Sequence, residues 1–149
     1  MQILDIKNTK YLDEYILLCK KEWSDYKIVN NKEEFIKKRT EKILNGNKVI
    51  SILGLIDNNT LLGFISLFKY DGNERKDLTP WYATMYVKEE YRGNGYSKLL
   101  NDALLNHTKK LGYKKIYLKS NLINYYEKFG AKYIENLNNG EKLYYIDLC

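Results

Sequence analysis

Residues 81–100 of this chain read WYATMYVKEEYRGNGYSKLL, and they decide its fold. The first seven are rich in aromatic and β-branched side chains, which predicts a strand over 81–87. Alternation along that strand places Tyr82, Thr84 and Tyr86 on one face and Trp81, Ala83, Met85 and Val87 on the other. Downstream, apolar residues recur at helical spacing, at Leu99, Leu100, Ala103, Leu104 and Leu111. A strand therefore leads through a short turn directly into a helix.

The turn itself, at 92–95, has the sequence RGNG. Glycines let a backbone come close to a ligand, and the free N–H groups at a helix N-terminus carry partial positive charge. The pattern predicts a cradle for phosphate, and a tight turn without a ligand is the alternative. Lys98 stands where a dinucleotide fold has its third glycine, and no Gly-Lys-Ser/Thr triplet follows, so neither of those nucleotide-binding fingerprints fits.

The whole stretch resembles the acyl-CoA signature of the GNAT acyltransferase superfamily. There a strand ends in an apolar-x-Val step, followed by Pro/Glu-Glu-Tyr-Arg-Gly-x-Gly and a helix that starts at a small residue. The matching residues are Val87, Glu90, Tyr91, Arg92, Gly93 and Gly95. Glu89 stands where the family often has Pro, and Ser97 where it usually has Gly or Ala. Because Ser is small and caps helices well, we expect a narrower site rather than a lost one.

A second match follows at the distance expected of the superfamily. Residues 115–119 alternate with Ile116 and Leu118 on one side, which predicts a short buried strand. Residues 121–131, NLINYYEKFGA, then resemble a short helix that ends Tyr-Glu-Lys-x-Gly-Phe in the family. Tyr126, Glu127, Lys128 and Gly130 match, Ala131 replaces the aromatic residue, and Asn121 and Asn124 are the nearest stand-ins for an absent Asn-x-x-Ala. The two motifs together span 81–131.

The remaining elements agree with this resemblance. Strands are predicted at 2–6, 49–56, 61–68, 131–135 and 142–146, and helices begin near residue 11 and after Asn31. The resulting order, β-α-α-β-β-β-α-β-α-β-β, is that of the superfamily: an α/β (α+β) fold with a mixed, mostly antiparallel central sheet flanked by helices. The resemblance implies that the strands at 81–87 and 115–119 run parallel and splay apart around the pantetheine arm of the cofactor.

Length and composition indicate the number of domains and the cellular location. The 149 residues predict a single domain, 1–149, and 44% hydrophobic content is ordinary for a globular protein. No run is long enough to cross a membrane, and residues 1–7 lack the features of a signal peptide. Only Cys19 and Cys149 are present, so we expect a reducing, cytoplasmic location.

The formal charge of +6 suggests nucleic acid as a partner, but we expect none. Acidic residues are mixed through the chain, and no aromatic RNA-binding motif appears. Lysines cluster at Lys109, Lys110, Lys114, Lys115 and Lys119, and runs of this kind are usually solvated faces. Positive potential also favours an anionic cofactor such as CoA.

The resemblance implies an acetyl-CoA-dependent N-acetyltransferase that acts by direct transfer on a small-molecule amine, without a metal. The backbone of Tyr86, Val87 and Lys88 would pair with the pantetheine and polarise the thioester carbonyl. The cofactor-binding turn would comprise Arg92, Gly93, Asn94, Gly95, Tyr96, Ser97 and Lys98, with Asn121 on the neighbouring strand end. Transfer of another acyl group, acylation of a protein N-terminus or lysine, and a non-catalytic acyl-CoA-binding sensor are the alternatives, and a homodimer is left open.

Tyr126 is the expected general acid, because a phenol with a pKa of about 10 is protonated at neutral pH and can supply the leaving sulfur. No carboxylate lies within 81–87, so the general base is not identified, and deprotonation through water is an equal alternative. His107, the single histidine, is expected to be structural. Candidate acceptor-binding residues are Glu22, Trp23, Asp25, Asp77 and Trp81, and the pairs Glu22-Trp23 and Pro80-Trp81 resemble a branch of small bacterial acetyltransferases.

Overall fold

The computed structural model describes residues 1–23 and 31–148, so Asp25 and Cys149 lie outside the described residues. The strands are β1 (Gln2–Asp5), β2 (Val49–Asp57), β3 (Thr60–Phe68), β4 (Trp81–Val87), β5 (Lys115–Ser120), β6 (Lys132–Asn136) and β7 (Lys142–Asp147). The helices are α1 (Leu12–Trp23), α2 (Lys32–Asn45) and α3 (Tyr96–Lys110). In the described part of the chain, no helix is both long enough and apolar enough to span a bilayer.

Local sequence explains how several elements begin and turn. The side chain of Asn31 accepts a hydrogen bond from the Glu34 N–H at 3.1 Å, which caps α2 as predicted. Asn58 and Asn59 join β2 to β3 with φ values of 49° and 61°, the left-handed conformation that a tight hairpin requires. These positions confirm the helix start and the hairpin expected from the sequence.

The seven strands form one sheet in the order β1-β2-β3-β4-β5-β7-β6. Every neighbouring pair is antiparallel except β4 and β5. These two parallel strands share a single register pair, Trp81 with Tyr117, and the Tyr117 N–H donates to the Pro80 carbonyl at 3.0 Å. Beyond that point they separate, which confirms the predicted mixed sheet with a central opening.

Helices cover both faces of this sheet. The α3 face buries Leu100 and Leu104 against β-strand residues such as Leu53. The α1 face buries Tyr15 and Ile16 together with Ile52, Ile56 and Phe64. Ile52 and Leu53 are adjacent in β2 but belong to different clusters. Because successive side chains of a strand point to opposite faces, β2 contributes residues to the core on both sides of the sheet.

A bulge in β4 overturns the simple alternation expected for that strand. Phe64 pairs with Tyr86 while Ser66 pairs with Ala83, so β4 carries one extra residue opposite β3. Thr84, with φ of 45°, lies within it. As a result Tyr82 packs in the core under α3, whereas Tyr86 packs in the core under α1. The prediction that Tyr82 and Tyr86 share one face was therefore wrong.

The short helix expected before Gly130 is a single 3₁₀ turn, Tyr126–Phe129. It is confined between two residues with left-handed backbone, Asn124 with φ of 59° and Gly130 with φ of 87°. Since neither conformation continues an α-helix, only one turn fits between them.

Candidate active site

A groove of about 350 Å³ lies where β4 gives way to α3. It is lined by Glu22, Trp23, Met85, Tyr86, Val87, Tyr91, Arg92, Gly93, Gly95, Tyr96 and Ser97. The structure thus brings the end of the central strand, the two-glycine turn and the C-terminal end of α1 to one place. Trp23 and Glu22, which sequence analysis connected to an acceptor, reach the same groove as the turn.

The turn is shaped for an anion. Gly93 and Gly95 have φ values of 84° and 77°, and a Cβ on either would meet no atom within 4 Å. Their backbone conformation, rather than crowding, is what requires glycine. Gly95 is the N-cap of α3 and supplies no side-chain cap, and the first turn of the helix contains no acidic residue. The helix N-terminus therefore has backbone N–H groups and partial positive charge to offer a ligand.

Arg92 adds positive charge beside the groove. Its Nε–H donates to the Val87 carbonyl at 2.8 Å, and its guanidinium carbon lies 5.5 Å from the centre of the Tyr86 ring. The side chain is thereby held across the end of β4. Asn94 has a different role, because its amide donates to the Tyr91 carbonyl at 3.0 Å and braces the turn.

Two lysines of the motif are engaged within the protein. The Lys88 N–H donates to the Leu62 carbonyl at 2.9 Å, and the Lys88 carbonyl accepts from the Tyr91 N–H at 2.9 Å. The Lys88 ammonium also pairs with Glu14 at 2.7 Å. Lys98 forms an exposed ion pair with Asp102 at 2.9 Å. Of the three strand residues expected to face pantetheine, only Tyr86 and Val87 line the groove.

Tyr126 lies on the far side of the β4–β5 opening, in the 3₁₀ turn that follows β5. Its ring is packed edge to face on Tyr82, with centroids 5.8 Å apart, and on Tyr125, at 4.8 Å. Burial, with a smaller contribution from Tyr125, raises the pKa of the half-buried Tyr126 phenol. The hydroxyl therefore stays protonated at neutral pH, as a proton donor must. Asn121, at the start of the same segment, is exposed, and the neighbouring Tyr125 is half-buried.

Two other candidates lie away from the groove. Trp81 is fully buried (0% exposed), and its indole N–H donates to the Leu78 carbonyl at 2.8 Å. It is a core residue here, so it is left out of the proposed acceptor site. Asp77 is exposed and forms two 3.0 Å hydrogen bonds with Arg75. This pairing lowers the pKa of the Asp77 carboxyl and accounts for its position without a substrate.

His107 makes a structural contact. Its Nε2 lies 2.8 Å from the hydroxyl of Ser51, a buried residue of β2. The bond links α3 to the sheet and gives the imidazole a partner outside the groove.

A second cavity, of about 320 Å³, lies between α1, α2 and the sheet. It is lined by Tyr15, Ile16, Cys19, Lys20, Trp23, Phe35, Arg39, Lys42, Ile43, Lys48, Val49, Phe68 and Thr84. Sequence reasoning missed this cavity, because the lining cations of α2 look like an ordinary solvated helix face. The spacing of Phe35, Arg39 and Lys42 along one side of α2 was the available signal.

Two residues that line this cavity, Tyr15 and Thr84, have hydroxyl groups that meet the hydroxyl of the buried Ser66. The Tyr15 hydroxyl lies 2.8 Å from Ser66 Oγ and 3.4 Å from Thr84 Oγ1, and Thr84 also donates to Ser66. Burial is the main cause that raises the pKa of Tyr15 above its usual range, so this phenol remains neutral. Burial likewise raises the pKa of the Cys19 thiol to about 12.

The cavity and the groove meet at one side chain and one backbone step. Trp23 lines both of them. In β4, Thr84 lines the cavity while the next residue, Met85, lines the groove. Two successive side chains of β4 therefore face the two spaces. Within residues 1–23 and 31–148, no group of three or more His, Cys, Asp or Glu is placed to hold a metal ion.

Comparison with solved structures places this geometry in a known fold. An N-acetyltransferase from Staphylococcus aureus Mu50 superposes with a TM-score of 0.72 at 20% identity, covering 99% of this chain and 98% of that one. An aminoglycoside 6'-N-acetyltransferase complexed with coenzyme A gives 0.71 at 18% identity, covering 100% and 98%. The aminoglycoside 6'-N-acetyltransferase from Enterococcus faecium gives 0.69 at 18% identity, also covering 100% and 98%. These likenesses show the fold.

Sequence comparison shows the family. Among curated proteins, none matches the chain significantly. The sequence model of the acetyltransferase (GNAT) family matches residues 15–131, which contain both motifs and every residue that lines the groove. The chain therefore belongs to the acetyltransferase (GNAT) family.

Proposed function

We propose that this protein transfers an acetyl group from acetyl-CoA directly to a primary amine of a small molecule. The observation that carries the proposal is the turn with Gly93 and Gly95, open to a groove at the uncapped N-terminus of α3. Backbone N–H groups from the turn through Ser97 would hold the pyrophosphate, and Arg92 would add charge. Tyr86 and Val87 would flank the pantetheine arm in the opening beside β5.

Bound acetyl-CoA supplies an activated acetyl thioester; the protein has to orient it, bind the amine and provide a proton for the sulfur. Tyr126 is proposed to give that proton from its hydroxyl, since burial keeps the phenol protonated. Among the described residues, the hydroxyl makes no hydrogen bond with the protein. No described residue therefore competes for its proton, although Tyr126 is not among the residues that line the groove.

The amine is proposed to approach from the cavity on the other side of Trp23. No described residue lining that cavity carries a carboxylate. The hydroxyl group of Thr84, linked to Ser66 and Tyr15, is the polar side-chain group that β4 contributes to the lining of this cavity. It would accept a hydrogen bond from the amine, with solvent taking the proton.

A small acceptor is favoured over a protein because the groove and the cavity, which share the end of α1, hold only about 350 Å³ and 320 Å³. Two fold neighbours whose own acceptors are aminoglycosides support the same choice. We further propose that residues 1–149 form one domain and that the enzyme works in the cytoplasm.

Two measurements on one preparation test the proposal. Acetyl-CoA at about a hundred times its dissociation constant should stabilise the fold by roughly 2.7 kcal/mol, seen as a rise in Tm. A panel of amines, amino acids, polyamines and aminoglycosides should then release free thiol with at least one member. Absence of a Tm shift in folded protein would refute the whole proposal. A Tm shift without thiol release from any acceptor would instead support a non-catalytic acyl-CoA-binding module.

A further inference from the structure

The cavity between α1, α2 and the sheet is strongly cationic. Four of its lining residues are basic, namely Lys20, Arg39, Lys42 and Lys48, and among the described residues no Asp or Glu lines it. Lys48 acts to lower the pKa of the Asp71 carboxyl, and Asp71 is outside the lining. A cavity with this lining presents positive potential to whatever enters it.

The charges sit at the walls of the cavity. The Arg39 guanidinium lies 5.5 Å from the centre of the Phe35 ring, and the Lys48 ammonium lies 5.0 Å from the centre of the Phe68 ring. Both rings are part of the lining. Aromatic faces attract cations without neutralising them. In the described part of the chain, Arg39, Lys42 and Lys48 form no ion pair.

The cavity also adjoins the groove in which acetyl-CoA is proposed to bind. It shares Trp23 with the groove, and Thr84 in its lining is followed directly by Met85 in the groove. A molecule that reaches from the cavity past Trp23 therefore arrives at the strand end beside which the thioester is proposed to lie.

Resting on the proposed function, we propose that the acceptor is an amine that also carries an anionic group, a carboxylate or phosphate, together with an apolar part. The anionic group pairs with Arg39 and Lys42, and the apolar part contacts the aromatic walls formed by Phe35 and Phe68. An amino acid with an apolar or aromatic side chain has this composition. Guanidinium and ammonium groups form their strongest hydrogen bonds with such anions.

The same charges disfavour the acceptors that the fold neighbours use. An aminoglycoside carries several ammonium groups and would meet like charge at Arg39, Lys42 and Lys48, on a chain whose formal net charge is already +6. Nearby positive charge also favours the neutral form of an amine over the ammonium form. The cationic lining thereby helps prepare the nucleophile in a cavity whose described residues offer no carboxylate base.

The test uses acceptors matched except for the anionic group. The pairs are L-phenylalanine with 2-phenylethylamine, L-leucine with 3-methylbutylamine, and O-phosphoethanolamine with ethylamine, and kanamycin represents the polycations. For at least one pair we expect the anionic member to show kcat/KM about tenfold or more above its partner, and to bind more tightly in calorimetry without acetyl-CoA. A preference in the two amino-acid pairs would identify a carboxylate as the anionic group that is bound, and a preference in the O-phosphoethanolamine pair would identify a phosphate.

Variants link the preference to the cavity. Arg39→Glu should remove or reverse the preference for the anionic member, and Arg39→Gln should reduce it. Lys37→Glu, on the same helix but outside the lining, changes the net charge equally and should retain it. Equal or better binding of the partners that lack the anionic group, or of kanamycin, would overturn the inference while leaving acetyl transfer intact. An unchanged preference in Arg39→Glu would overturn it as well. Calorimetric binding of the anionic member without thiol release would refute the proposed function and leave the ligand class standing.

Discussion

The indole of Trp23 meets the ring of Tyr86 edge to face, with centroids 6.3 Å apart and planes at 76°. Trp23 also contacts Phe64 in the same manner, at 6.5 Å. Tyr86 lies in the groove, and Trp23 lines both the groove and the neighbouring cavity. These two rings therefore form the partition across which an acceptor amine and a thioester would have to meet.

Trp23→Ala should weaken the binding of both acetyl-CoA and the acceptor. The indole is 50% exposed, so its removal should lower Tm by only a few degrees. Loss of the partition should raise KM for acetyl-CoA and for the acceptor, and kcat/KM should fall by about tenfold, the cost of poor orientation. Steady-state kinetics with each substrate varied in turn measure this. Trp23→Phe, which keeps an aromatic ring, should recover most of the activity, whereas unchanged kinetics in Trp23→Ala would show that the partition has no role.

Gly95→Glu should abolish the Tm shift caused by acetyl-CoA. The side chain would put negative charge and bulk into the proposed pyrophosphate cradle. Gly112 gives a matched control, because it too has positive φ, 99°, with no atom within 4 Å of a Cβ, and lies beyond the opposite end of α3. Both substitutions should lower stability by a similar amount, about 1–2 kcal/mol, from left-handed strain. Only Gly112→Glu should keep the ligand-induced shift, and retention of the shift in both variants would exclude the cradle.

Much of the fold was predictable from the sequence, because local signals and global arrangement agree there. Alternation in 115–119 gave a buried strand, and the asparagine pair at 58–59 gave a tight hairpin. The order of elements and the two motifs then specified a mixed sheet with one parallel pair. Such agreement between levels is what makes a fold recognisable.

The site was less predictable where local and tertiary effects compete. Strand alternation gives no sign of the bulge at Thr84, since a bulge depends on pairing with β3. Trp81 looked like an acceptor contact because its burial depends on elements distant in sequence. The cationic cavity arises from α1, α2 and the ends of β2 and β3 together, and no segment of the sequence displays it alone. The residues that select an acceptor are therefore harder to predict from the sequence than those that hold the acyl donor.

Ser51→Ala should lower stability without changing catalysis. The variant removes the hydroxyl partner of His107 in a buried contact of 2.8 Å, at a cost of about 1 kcal/mol. For a chain of this size that corresponds to a fall in Tm of about 2–4 °C. Thermal melting and thiol-release rates measure the two effects. A tenfold loss of kcat with unchanged Tm would mean that His107 has a catalytic role after all.

Cys19 should react very slowly with alkylating agents in the folded enzyme. Burial raises the pKa of its thiol to about 12, so at pH 8 only about one molecule in ten thousand carries the reactive thiolate. Labelling by iodoacetamide should be at least a hundredfold slower than in urea, and should accelerate as pH rises toward that pKa. Peptide mapping by mass spectrometry distinguishes Cys19 from Cys149. Complete labelling of native Cys19 within minutes would contradict the burial of this thiol.

Tyr126→Phe tests the proposed general acid most directly. The substitution keeps the ring and therefore the edge-to-face contact with Tyr82, and it removes only the hydroxyl. Acetyl-CoA affinity and Tm should stay close to wild type, because that hydroxyl has no protein partner among the described residues. Turnover should fall by about 10²–10⁴, the usual contribution of a positioned acid. Since this contribution exists only in the transition state, kcat and kcat/KM should fall together.

Tyr125→Phe is the matched control for Tyr126→Phe. Its ring lies 4.8 Å from that of Tyr126, so the variant alters the same aromatic cluster while leaving the proposed acid in place. Removing the Tyr125 hydroxyl also removes its small upward effect on the pKa of Tyr126, which still stays protonated because burial is the larger cause. Tyr125→Phe should therefore turn over at close to the wild-type rate. Equal losses in the two variants would point to packing rather than proton donation, and near-wild-type turnover in a stable Tyr126→Phe would remove Tyr126 from the mechanism and leave water as the proton source.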